Sequence, residues 1–72
     1  MTINEFQDLL ILVAREEFPD ANITIIERRN ITLEARITVS EDTFIEVYYN
    51  FISKKKSYTL IKNSQRIFGY DN

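Results

Sequence analysis

The hydrophobic period of this chain changes once, at Pro19, and that change sets the order of its elements. Before it, apolar residues recur at Phe6, Leu9, Leu10, Val13 and Ala14. This i, i+3, i+4, i+7, i+8 spacing belongs to a helix with one buried face. Thr2-Ile3-Asn4-Glu5 has the form of a capping box, with Thr2 as N-cap and Glu5 as the third helical residue. Pro19 disfavours helical geometry at Phe18 and ends the run. Ile11 and Leu12 fall well away from the Phe6–Leu10–Val13 stripe at about 100° per residue. They fit either a helix sunk deep against a curved sheet or a second, partner-facing stripe.

After Asp20-Ala21-Asn22 the period becomes two. Residues 23–28 read as a short β-branched strand, with Arg29-Asn30 as its turn. Residues 31–39 alternate strictly: Ile31, Leu33, Ala35, Ile37 and Val39 on one face, Thr32, Glu34, Arg36 and Thr38 on the other. Such alternation predicts a sheet covered on one side and open on the other. Ser40-Glu41-Asp42 turns the chain into a third strand over 43–51, with Ile45, Val47, Tyr49 and Phe51 opposite Phe44, Glu46 and Tyr48. A polar hairpin at Ser53-Lys54-Lys55-Lys56 leads to a strand over 57–62. Asn63-Ser64 then introduces a short strand over 65–70. The expected fold is α+β: one N-terminal amphipathic helix packed on a four- to five-stranded antiparallel meander.

Seventy-two residues make a single domain, 1–72. A chain of this size buries only about 60% of its unfolded surface. With no Cys and no His, disulfides and zinc are closed to it as stabilisers. Oligomerisation is the remaining route, so a homo-oligomer, a dimer at least, is expected. No cofactor and no metal site is expected. The apolar run at 9–14 is short and follows Glu5 and Asp8 rather than basic residues, unlike a signal peptide. No stretch approaches the ~20 apolar residues of a membrane helix. A cytoplasmic location away from membranes is the expectation.

The net charge of −2 hides an asymmetry. Glu5, Asp8, Glu16, Glu17, Asp20 and Glu27 face one base, Arg15, in the first part of the chain; Lys54, Lys55, Lys56, Lys62 and Arg66 face one acid, Asp71, in the last. A nucleic-acid partner would therefore meet one end only, unless both groups are solvated faces.

Without His or Cys, the commonest general base and the thiol nucleophile are missing. The single Gly69 cannot build a phosphate-cradling loop. Phosphodiester chemistry using Arg, Lys, Tyr and Glu remains. On the open sheet face Arg36 lies near Glu34 and Glu46, flanked by Phe44 and Tyr48, with Tyr58 and Arg66 as further candidates. Aromatics beside Arg on an open sheet suit single-stranded RNA. The same residues also fit cross-strand ion pairs and a dimer interface. Lys54, Lys55 and Lys56 fit either a salt-sensitive phosphate contact or a solvated loop tip. Ile11, Leu12 and Phe44 are the candidates for a protein-facing surface.

Three segments carry a resemblance: Phe44-Ile45-Glu46-Val47-Tyr48-Tyr49-Asn50, Ser57-Tyr58-Thr59-Leu60-Ile61-Lys62, and Arg66-Ile67-Phe68-Gly69-Tyr70-Asp71-Asn72. Together they resemble the TumE-like toxin family of prokaryotic toxin–antitoxin systems. The likeness covers roughly the last 30 residues, and Phe68-Gly69-Tyr70-Asp71-Asn72 is its most specific piece. It implies a small toxin-family protein with a cognate antitoxin as partner and RNA as the class of target. In that family the motif is followed by a Trp- and His-containing tail. The sequence here ends at Asn72, so a truncated or inactive relative is expected if activity resides in those histidines.

Overall fold

A computed structural model describes residues 1–71. Asn72, the last residue of the Phe-Gly-Tyr-Asp-Asn stretch, lies outside the described residues. The order is α1 (Ile3–Glu17), β1 (Asn22–Arg28), β2 (Thr32–Ser40), β3 (Thr43–Asn50), β4 (Lys56–Lys62) and β5 (Gln65–Asp71). The strands form one antiparallel sheet in the order β1-β2-β3-β4-β5, a meander with α1 on one face.

The helix begins as its sequence dictates. Thr2 Oγ1 accepts from the Glu5 N–H at 3.1 Å, and Glu5 Oε1 accepts from the Thr2 N–H at 2.9 Å. Two otherwise orphaned donors are thereby satisfied. The buried stripe, however, is rotated from the expected one. Ile3, Phe6 and Ala14 are buried and Leu10 packs beside them, whereas Leu9 and Val13 are exposed. Ile11 is half-buried and Leu12 exposed, so the two residues part company.

The core lies between this stripe and Leu33, Ala35, Ile37, Val47 and Tyr49. Tyr49 anchors one end: its ring stacks on Phe6 with centroids 4.3 Å apart, and its hydroxyl donates to the Met1 carbonyl at 2.7 Å. A buried phenol needs such an acceptor. Near the same end an Arg28 amino group donates to Asn4 Oδ1. Phe18, at the C-cap, reaches the region of Val39 and Thr43 at the opposite end. Helix α1 thus runs antiparallel to β3 and lies over β1–β3.

Turn chemistry differs between the hairpins. Asn63 and Ser64 take φ of 52° and 63°, the left-handed pair of a type I′ hairpin, made here without glycine. Between β2 and β3 the register instead shifts between Thr38 and Ser40. Irregularities also fall at Ile26 in β1 and at Ile67 in β5, so both edge strands are bulged. A bulge moves the side chains beyond it to the other face. In β5 it places Arg66 and Gly69 on the outer face and Phe68 and Tyr70 on the helix face.

Candidate functional site

Three surfaces carry the residues singled out from the sequence. On the outer face Arg36 pairs in register with Glu46 and lays its guanidinium over the Phe44 ring, 4.3 Å from the centroid. Its Nε is buried without a hydrogen-bond partner among the described residues, which ties the cation to the aromatic face. Tyr48 stands beside Glu34, and the Arg66 guanidinium lies along Gly69, where a Cβ would collide with it. The face carries Glu27, Glu34, Glu46 and Asp71 against Arg36 and Arg66, an excess of acid. A phosphate backbone would be repelled there.

One of the expected members of this face is elsewhere. Tyr58 pairs with Val47 and Tyr70 on the helix face, opposite Arg36, because alternation along β4 puts Thr59 rather than Tyr58 beside Glu46. Burial and the neighbouring Tyr70 push the Tyr58 phenol above its ordinary range. Lys54 and Lys55 occupy the β3–β4 loop, with Lys54 Nζ 4.2 Å from the Phe51 ring centroid. Lys56 opens β4 opposite Tyr49, on the helix face. The proposed nucleic-acid residues are therefore split among two faces and one end of the sheet.

That end is the second surface. The β1–β2 and β3–β4 connections lie side by side, joined by a Phe51 N–H to Ile31 carbonyl bond of 2.6 Å. Arg28, Arg29, Lys54, Lys55 and Lys56 therefore gather with the N-terminus of α1 at one pole. Glu27 engages Arg29 in an exposed ion pair. The opposite pole holds Glu16, Glu17, Asp20, Glu41 and Asp42, with Arg15, Lys62 and Arg66 among them. Asp42 accepts from Ser40 Oγ at 2.8 Å and Thr43 Oγ1 at 3.0 Å, bonds that lower its carboxyl pKa. The charge asymmetry of the sequence becomes an axial dipole rather than a helix opposed to a hairpin. Arg28 and Arg29 were missed as partners of the lysines, although a meander of even strand length brings alternate connections to one end.

The third surface is the uncovered half of the helix face. A helix about 10 Å across cannot cover five strands spaced about 4.8 Å apart. Beyond α1 the sheet leaves an open apolar groove of about 430 Å³, lined by Phe18, Val39, Thr43, Ile45, Tyr58, Leu60 and Phe68. Phe68 is 62% exposed and Tyr70 51%. Tyr58 and Tyr70 rings lie 6.2 Å apart beside it. Leu9, Leu12 and Val13 continue the apolar surface along α1. Phe44, the other candidate for a protein-facing surface, lies on the outer face beneath the Arg36 guanidinium.

Among the described residues no group of three or more His, Cys, Asp or Glu side chains could hold a metal ion, and no helix is long and apolar enough to cross a membrane. Comparison with protein-family models, with curated proteins and with solved structures finds no significant match for this chain. The class defined by the fold is therefore architectural: an α+β domain, one helix on a five-stranded antiparallel meander.

Proposed function

We propose that this chain is a non-catalytic protein-interaction module whose working surface is the uncovered half of its helix face. One observation carries the reading: Leu60, Phe68, Tyr70 and the Phe18–Ile45 groove form a contiguous apolar surface with no cover from α1. The exposed area, with Leu9, Leu12 and Val13, is on the order of 600 Å², at the upper limit of what a soluble monomer leaves open. The resemblance to the toxin family supports the reading, since it implies a cognate antitoxin as a protein partner. Leu60→Asp/Phe68→Asp tests the reading. The variant is expected to keep the wild-type far-ultraviolet circular dichroism while losing binding of an anilinonaphthalene sulfonate dye measured at high dilution. Equal and negligible dye binding by both chains, each a monomer, would overturn it.

A second reading, contact with single-stranded RNA, is favoured by the pole that gathers Arg28, Arg29, Lys54, Lys55 and Lys56. Such contact is sequence-independent and salt-dependent. Replacing Lys54, Lys55 and Lys56 by Ala is expected to weaken RNA binding at least tenfold at low salt, measured by fluorescence anisotropy. The same measurement on Arg36→Ala is expected to show little change, since Arg36 lies on the acidic face.

A further inference from the structure

We infer that the occupant of the uncovered half-sheet is a second copy of this chain, related by a two-fold axis parallel to the strands, with the helix of each copy lying over β4–β5 of the other. This inference rests on the interaction-module reading and names its partner. The first support is the pattern on α1. Glu5, Leu9, Leu12 and Glu16 form a straight stripe, roughly 135° around the helix from the buried Ile3–Phe6–Leu10–Ala14 stripe at 100° per residue. On β4, alternation puts Lys56, Tyr58, Leu60 and Lys62 on the helix face. Each stripe is apolar at its centre and charged at both ends, and the signs are opposite. Glu5 to Glu16 rises about 16 Å along the helix. Lys56 to Lys62 spans about 20 Å along the strand. The two stripes match in length, polarity order and charge.

The second support is direction. Helix α1 starts beside Tyr49, the cross-strand partner of Lys56, and ends near Thr43, the cross-strand partner of Lys62. A two-fold axis along the strands preserves position along them while exchanging left for right and top for bottom. Glu5 of one copy then meets Lys56 of its partner, and Glu16 meets Lys62. An axis in the sheet plane but across the strands would stack helix on helix and leave both β4–β5 halves bare. The third support is the sheet's edges. Both are bulged, which twists them away from edge-to-edge pairing and leaves the face as the place of contact. The apolar patch, with its charged ends, approaches the ~800 Å² per partner of a stable dimer.

The axis also makes a demand on Leu9 and Val13. Asn4 receives the Arg28 hydrogen bond on the β1 side of α1, so Leu9 and Val13 fall on the side facing β4. There they meet the partner's helix, which fills the space above β4–β5. A helix apolar around more than its own core requires is accounted for by two contacts, one with its own sheet and one with a partner.

Glu5 is engaged in the helix cap, so the clean test uses the other pair. Light scattering on the 72-residue chain is expected to give twice the chain mass of 8.6 kDa. Lys62→Glu and Glu16→Lys should each raise the dimer Kd about tenfold or more, and the double variant Glu16→Lys/Lys62→Glu should recover most of the loss. Because the chain has no cysteine, Leu12→Cys/Leu60→Cys gives an independent readout: a bismaleimide cross-linker should yield a covalent dimer. A wild-type monomer that binds the apolar dye would overturn the dimer while leaving the interaction module standing. A dimer unaffected by either charge reversal, or one whose cysteine variant cross-links only within a chain, would overturn the arrangement.

Discussion

The two halves of the sheet are built from similar residues and end in different states. In β1–β3, Leu33, Ala35, Ile37, Val47 and Tyr49 vanish beneath α1; in β4–β5, Leu60 is half-buried and Phe68 and Tyr70 are exposed. Hydropathy does not separate the halves. Helix width does, and a single helix leaves the second half to be completed by something else. Strand pairing and local turns hold that second half in place, whereas the first is held by packing.

The sharpest way to break the contrast is to remove a side chain from each half and measure both variants as dilute monomers by chemical denaturation. Leu33→Ala is expected to cost about 3 kcal/mol, a lost buried side chain plus its cavity. Phe68→Ser should stay within about 0.5 kcal/mol of wild type, since most of its side chain is exposed. Equal costs would mean that the halves are not different.

Two smaller effects sharpen the first half. Tyr49→Phe keeps the stack on Phe6 and deletes the hydroxyl bond to Met1, so a loss of about 1 kcal/mol is expected. Thr2→Ala removes the N-cap oxygen and is expected to cost a similar ~1 kcal/mol, read by the same denaturation. The second half answers to its turn. Ser64→Gly relieves a left-handed residue and should stabilise by a few tenths of a kcal/mol.

The halves also differ in their pH response. The hydrogen bonds to Glu5 and Asp42 hold both carboxyls below their ordinary values. Their contribution is complete above the ordinary carboxylate range and fades as pH falls through the lowered values. Tyr58 works in the opposite sense. Its raised phenol favours the neutral form, so that contribution is complete below the ordinary phenol range and is lost as pH rises through the raised value. Ultraviolet titration of the tyrosines should find Tyr58 ionising later in the dimer than in a Phe68→Ser chain held at monomeric dilution, because a second copy deepens its burial.

Much of this was legible in the residues. The capping box, the Pro19 stop, the alternation of β2 and β3 and the turn at Asn63-Ser64 each pointed to the element observed. The faces were harder. Leu9 and Val13 are as apolar as Phe6 and Leu10, and periodicity cannot tell an apolar side chain covered by its own sheet from one left for a partner. The position of Phe68 and Arg66 on opposite faces depends on a bulge at Ile67, for which no glycine or proline stands as a signal. The split of the expected nucleic-acid residues has a different cause, the β3–β4 register. Tyr58 and Lys56 share a strand face that only cross-strand register reveals.

Light scattering across a concentration series of wild type and Phe68→Asp tests the division of the sheet most directly. A wild-type mass of twice 8.6 kDa, falling to the single-chain mass in a variant with unchanged circular dichroism, is expected. Identical masses for the two chains at every concentration would contradict it, because the uncovered half of the sheet would then not be where the molecule is completed.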